Sequence, residues 1–172
     1  MADSAPAFYA ELYAHLRKAN MEMLAYVPDE ALGPVLDSAE ADNAVRTVVM
    51  TTEEEGVAVC CGAGLVNKRA VMMMQSSGVG NCVNAFTLIQ NCRIPFLALI
   101  AMRGEFGETN SWQYAMGATT AQTLELAGFR VLWARDPAEV GKIVDAAADM
   151  AWRGNQAVAI LLSQQLVGAK QL

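Results

Sequence analysis

The sequence predicts a three-layer α/β/α domain built on a six-stranded parallel sheet. Three observations predict it. Six short runs of Val, Ile, Leu, Met and Ala alternate with segments of helical pattern, which is the signature of successive βαβ units. The runs are continuously apolar rather than alternating, as expected when helices cover both faces of the sheet. The chain has 172 residues, of which 54% are apolar and 17% charged, and this suits one domain with a sizeable core over residues 1–172.

The elements follow in order. Residues 7–19 read as a helix, and 22–27 (EMLAYV) as a short strand ending at Pro28. Residues 30–41 read as a helix with Pro34 in its first turn, where a missing N–H is harmless. A strand at 45–50 (VRTVVM) leads into a helix at 53–67 opened by three acidic residues. The strand 70–75 (AVMMMQ) precedes a helix at 80–92, and the strand 96–102 (FLALIAM) precedes a long loop at 103–115 and a helix at 117–127. Strand 129–133, helix 137–153 and strand 157–163 complete the set. No internal repeat, low-complexity tract or domain boundary interrupts it.

Composition excludes several functions. Net charge is −6 with no basic cluster, which argues against nucleic acid. No apolar run reaches the roughly 18 residues of a membrane span. The N-terminal MADSAPAFYAEL lacks the pattern of a secretory signal, so a cytoplasmic location is expected. Cys60, Cys61, Cys82 and Cys92 show no CxxC spacing and the single His15 is far from them, so reduced, buried thiols are expected and a metal site is not. So apolar a chain of this size is expected to be covered in part by another subunit.

In folds of this kind ligands sit beyond the carboxyl ends of the strands. Four segments follow strands: residues 27–30, 51–55, 75–81 and 103–113. Glu53, Glu54 and Glu55 open a helix in which Gly56, Cys60 and Gly64 recur at every fourth position, a row that permits close packing on a sheet or another subunit. The carboxylates either compensate a helix dipole or supply an acid–base group, and Glu53 stands nearest the strand end. The stretch QSSGVGNCVNAF (75–86) reads as a glycine loop offering backbone N–H groups at a helix N-terminus, or equally as a tight turn with Asn81 as the helix cap. It lacks the lysine of a P-loop and the third glycine of a dinucleotide fingerprint. The polar loop MRGEFGETNSWQYAMG (102–117) is long enough to be functional, or is a surface excursion in which Arg103 and Glu105 pair.

Together, TTEEEGVAVCCGAGL, QSSGVGNCVNAF, IPFLALIAMRGEFGE and QYAMG resemble the pyrimidine-binding domain of thiamine diphosphate enzymes, in particular the alpha subunit of sulfopyruvate decarboxylase and the matching half of phosphonopyruvate decarboxylase. The resemblance runs from about residue 8 to 168. It implies that one glutamate hydrogen-bonds N1′ of the cofactor's aminopyrimidine and drives its tautomer shift, so that the ring takes the proton from thiazolium C2. Such a carboxyl works in a water-poor site that brings its pKa toward neutrality. In related decarboxylases this glutamate lies nine residues before the glycine that here is Gly62, which selects Glu53, with Glu54 as the alternative register.

The resemblance further places Ser77, Gly78, Gly80 and Asn81 against the cofactor, and Pro28, Asp29, Glu30, Gln75, Ser76, Arg103 and Gln113 toward the substrate. Arg103 is the candidate partner for an anionic substrate tail. Pyruvate decarboxylases carry a catalytic aspartate two residues after the matching proline, where this chain has Glu30; their active-site histidines have no counterpart, since His15 lies in the first helix. The family's diphosphate and Mg²⁺ are held by a domain marked Gly-Asp-Gly, which is absent from this sequence. The resemblance therefore implies a beta subunit that carries the motif, and a two-chain enzyme converting sulfopyruvate or phosphonopyruvate to the aldehyde plus CO₂. A carboligase or lyase subunit acting on another 2-oxo acid, or a non-catalytic binding module, are the alternatives on this fold.

Overall fold

A computed structural model describes residues 6–169, so Met1–Ala5, part of the segment read as lacking a signal, lie outside it. Six strands form one sheet: β1 (Met23–Tyr26), β2 (Arg46–Val49), β3 (Ala70–Gln75), β4 (Phe96–Ala101), β5 (Arg130–Ala134) and β6 (Ala157–Leu162). The order is β2-β1-β3-β4-β6-β5 and every pairing is parallel. Each strand lies within a residue or so of its expected bounds. The central strands β3, β4 and β6 are buried almost throughout, whereas β2 and β5, each with an arginine, form the edges.

Side chains alternate between the two faces with the period of a strand. Val71, Met73, Leu97, Leu99, Val158 and Ile160 join one core, under α1 (Phe8–Lys18), α2 (Gly33–Glu40) and α7 (Val140–Ala148). Met72, Met74, Phe96, Ala98, Ile100 and Leu161 join the other, under α3 (Glu53–Leu65), α4 (Ser76–Cys82), α5 (Phe86–Cys92) and α6 (Tyr114–Leu126). In the second core Phe129 meets Phe86 and Phe96 edge-on, with ring centroids 4.8 and 5.9 Å away.

The helices depart from expectation where tertiary packing outweighs local preference. The expected glycine loop at 76–81 is helical: α4 starts at Ser76, directly after β3, so Asn81 lies inside a helix rather than capping one. Glycine disfavours helix, but Gly78 lies against Glu53 of α3 and Gly80 against Met116 of α6, contacts that a larger residue would obstruct. The expected helix 80–92 is thus two, broken at residues 83–85. The long loop ends early, in a 3₁₀ turn at Ser111–Gln113 that runs into α6. Residues 30–32 are also 3₁₀, and the last long helix ends in a wide π turn at Asp149–Arg153. A short α8 (Gln164–Val167), capped by the Ser163 hydroxyl, follows β6 and was not anticipated.

α3 shows what its small residues are for. A Cβ on Gly56 would lie 2.5 Å from Met50 Sδ, and one on Gly64 would lie 2.8 Å from Ile94 Cγ2, so the row brings the helix onto its own domain. Cys60, Cys61 and Cys82 are buried and burial pushes their thiols up, Cys61 to about 11 and Cys82 to about 12. Cys92 corrects the expectation of buried thiols: it is exposed on the outer side of α5.

Candidate active site

The sheet has two places where successive connections leave in opposite directions, between β1 and β3 and between β4 and β6. The candidate residues gather beyond both. At the first, Gln75 at the end of β3 donates from Nε2 to Asp29 Oδ2 at 2.8 Å, and Ser77 Oγ donates to Gln75 Oε1 at 2.7 Å. Asp29 also accepts from the Ala31 N–H, which starts the 3₁₀ turn after Pro28. The buried Ser76 Oγ accepts from the Arg103 N–H at 3.0 Å and ties the end of β3 to the end of β4.

The three glutamates separate by environment. Glu55 reaches back to accept the Thr51 N–H at 2.9 Å, satisfying a donor at the helix start, and Glu54 is exposed. Glu53, half-buried, turns toward α4. Its Oε2 accepts from Asn81 Nδ2 at 2.7 Å, and its carboxyl occupies the space that a side chain at 78 would fill: a Cβ on Gly78 would stand 2.7 Å from both Cδ and Oε1. Glu53 of α3 therefore forms one unit with Gly78 and Asn81, which stand about one helical turn apart on α4. A Cβ on Gly80 would instead stand 3.3 Å from Met116 Sδ, so this glycine admits the close approach of α6.

Arg103 and Glu30 lie elsewhere. With Tyr9, Asp29, Pro34 and Val167 they line a cavity of about 340 Å³ on the α1/α2 side of the sheet. The structure does not bring them against Glu53. Nor does Arg103 pair with Glu105. Its Nε and Nη2 form a fork with Glu108, at 2.6 and 2.9 Å, with side chains only 10% and 2% exposed. Glu105 instead accepts from Ser163 Oγ and the Gln164 N–H.

Glu108, which the sequence reading passed over, organises the loop. Besides Arg103, its carboxylate accepts from the N–H groups of Gly104, Thr109 and Asn110 and from Gln164 Nε2. These donors, Arg103 first, hold its carboxyl far below the usual carboxylate range, while the pairing raises Arg103 above its ordinary value. The visible signal was a glutamate just after two glycines, Gly104 and Gly107, in the loop that follows a buried strand. Gln164 bonds this loop at two backbone N–H groups, Glu105 and Phe106, and marks the second switch point. Gln113 presents a buried Oε1 that has no hydrogen-bond partner among the described residues.

Fold and site together define a parallel α/β/α domain in which a helix-start carboxylate stands at the carboxyl edge of the sheet. Comparison narrows this class. The chain is 34% identical over 152 residues to sulfopyruvate decarboxylase subunit alpha of Methanothermobacter thermautotrophicus, covering 88% of this chain and 92% of that one. The Methanococcus maripaludis subunit is 32% identical, with 88% and 91% covered. Phosphonopyruvate decarboxylase of Streptomyces viridochromogenes is 34% identical over 68% of this chain but 30% of its own length. The chain belongs to the sulfopyruvate decarboxylase alpha-subunit family. No protein-family model matches it. Among solved structures, 2-oxoglutarate:ferredoxin oxidoreductase from Magnetococcus marinus superposes with a TM-score of 0.73 at 13% identity, over 93% of this chain and 29% of that one, and shares the fold.

Proposed function

We propose that this chain is the alpha subunit of a two-chain thiamine diphosphate-dependent decarboxylase that converts sulfopyruvate or phosphonopyruvate to the corresponding aldehyde and CO₂. The observation that carries the reading is the Glu53 carboxyl, seated over Gly78 and held by Asn81 at the start of α3. The seat fits the aminopyrimidine half of the cofactor: a single carboxyl, with one oxygen engaged by Asn81 and the other without a hydrogen-bond partner among the described residues. When bound, the cofactor supplies the electron sink that receives the electron pair left by CO₂. Glu53 holds and moves the proton at N1′. Gln75, Asp29 and Ser77 brace the ends of β1 and β3, and Gln113 Oε1 offers an acceptor to whatever enters beneath the loop.

The chain has no Gly-Asp-Gly. The diphosphate and Mg²⁺ belong, in this reading, to a beta subunit that carries that motif. The partner also covers the α3–α4 face and dries the half-buried Glu53. With two nitrogens of Arg103 engaged by Glu108, the partner supplies the further cations that a sulfonate or phosphonate tail requires.

The test is co-purification with the partner subunit, then titration with thiamine diphosphate and Mg²⁺ and a screen of 2-oxo acids for CO₂ release. In the complex, Glu53→Gln is expected to lower activity by roughly 10²–10⁴-fold while assembly survives. Glu55→Gln, which loses only a helix-start contact, is expected to change stability by less than about 1 kcal/mol and leave chemistry intact. Carbon–carbon bond formation without CO₂ release from either substrate would replace the decarboxylase reading with a carboligase.

A further inference from the structure

We propose that Asn81 is a positioning residue for Glu53: its side-chain amide holds Oε2, so that Oε1 alone is left to engage the cofactor ring. The inference rests on the assignment of Glu53 as the proton-handling group, and it gives Asn81 a role other than touching the cofactor itself. Three observations carry it. Asn81 Nδ2 lies 2.7 Å from Glu53 Oε2, within the range of a strong hydrogen bond to a carboxylate. Oε1 lies on the Gly78 side and accepts no hydrogen bond among the described residues. Gly78 and Asn81 are three residues apart on α4, so they share one face of that helix and present the gap and the clamp together.

The residue type is chemically apt. A glutamate carboxyl on a half-exposed helix start samples several rotamers unless something holds it. A lysine or arginine would hold it, but with a full positive charge that fixes the carboxyl in its ionised form and opposes proton exchange near neutrality. An amide donor is neutral and does not titrate. It fixes orientation while leaving the proton free to pass. The glycine is the other half of the arrangement, because a methyl group at 78 would stand where the carboxyl rests.

The experiment has two arms. In the full chain labelled with nitrogen-15, the Asn81 side-chain amide pair is assigned as the pair absent from Asn81→Ala. It is expected to shift with pH as Glu53 protonates, and to lose that dependence in Glu53→Gln. In the complex assembled with the partner subunit, Asn81→Ala is expected to slow C2-proton exchange of thiamine diphosphate about tenfold or more, with cofactor affinity changed by less than about threefold. Asn81 is exposed, so the alanine variant folds as the parent does. An amide pair indifferent to Glu53 overturns the proposal. So does a fall in cofactor affinity that matches the fall in exchange, since Asn81 then contacts the cofactor. If Glu53→Gln exchanges as fast as the parent, the Glu53 assignment fails and the positioning role fails with it; if only Asn81→Ala is silent, the assignment stands and the positioning role alone is lost.

Discussion

Gly78→Ala separates the two things that a residue in α4 can do. On stability, alanine is the better helix former in a helix interior by about 1 kcal/mol. Against this, the new Cβ would stand 2.7 Å from Glu53 Cδ and Oε1 and nearer still to Cγ, so that side chain must move. Glu53 is half-buried at a helix start and has solvent to move into. Leaving its rotamer costs on the order of 0.5–1.5 kcal/mol. Water replaces the Asn81 donor, so little is added for that bond. The two effects nearly cancel, and the melting temperature of the chain is expected to stay within about 4 °C of the parent.

On function the same movement is severe. A reacting group displaced by about 1 Å loses roughly 10²-fold in rate, and relieving a Cβ 2.4 Å from Glu53 Cγ requires a movement of that order. In the assembled enzyme, CO₂ release and C2-proton exchange should both fall at least 10²-fold while subunit association persists. Two results refute the reasoning. Exchange within about threefold of the parent would mean that the seat over Gly78 is not the working position of Glu53. A loss of 10 °C or more in the melting temperature would mean that the carboxylate has no route to solvent.

The other predictions are briefer. Glu108→Gln breaks the buried pair with Arg103 and should destabilise the chain by about 3 kcal/mol, the lower end for such pairs because the loop is at the surface. The folded carboxyl is held far below its ordinary 4.5, so the parent's contribution from this group is full above that value and is withdrawn as pH falls toward the depressed one. An acid titration followed by circular dichroism should therefore show a shallower acid limb in the variant. Gly117→Ala is the counterpart to Gly78→Ala: its Cβ would stand 2.5 Å from the Arg103 and Gly104 carbonyl oxygens, backbone that cannot swing aside, so denaturant melts should show a loss of about 1–3 kcal/mol. Leu65→Arg, on a side chain 74% exposed, should leave the chain's melting within about 0.5 kcal/mol yet weaken assembly with the partner subunit, measured by light scattering. Unimpaired assembly would remove α3 from the partner interface.

The strands were legible because burial on both faces writes itself as an unbroken apolar run: AVMMMQ and FLALIA admit no other reading in a chain with this alternation. Helix starts were less legible because their cause is distant. The two glycines of SSGVG argue locally for a loop, and only the approach of Glu53 and Met116 from other helices shows that they serve a helix. The local triplet Glu53–Glu55 could not say which carboxylate turns inward; the Thr51 N–H takes Glu55 and the Asn81 amide takes Glu53. The Arg103 fork was half visible. An arginine and two glutamates shared one loop, but the choice of Glu108 over Glu105 depends on Ser163 and Gln164, roughly 60 residues away in sequence and adjacent only because β6 pairs with β4.

The two faces of the sheet are unlike, and the difference bears on how the site is completed. Helices α1, α2 and α7 carry the ordinary charged exterior, with Arg17 paired to Asp42 and Lys18 to Asp145. On the other face, residues 56–67 and 70–92 contain no Asp, Glu, Lys, Arg or His. Leu65, Val66, Val83 and Leu88 stand exposed there, and a Cβ on Gly62 would meet nothing within 4 Å. A helix apolar around its whole circumference is one that is covered on both sides, and α3 is covered by its own domain on one side only. Glu53 begins that helix and Asn81 lies on the next, so a subunit seated on this face reaches the carboxylate directly. In the proposed assembly a partner would enclose Glu53 in a dielectric lower than that of water, which strengthens any polar contact its carboxylate makes. On this reading the chain leaves the Glu53 carboxyl at the edge of an apolar stretch of this face, and association with a partner would bury the helix and enclose that carboxyl together.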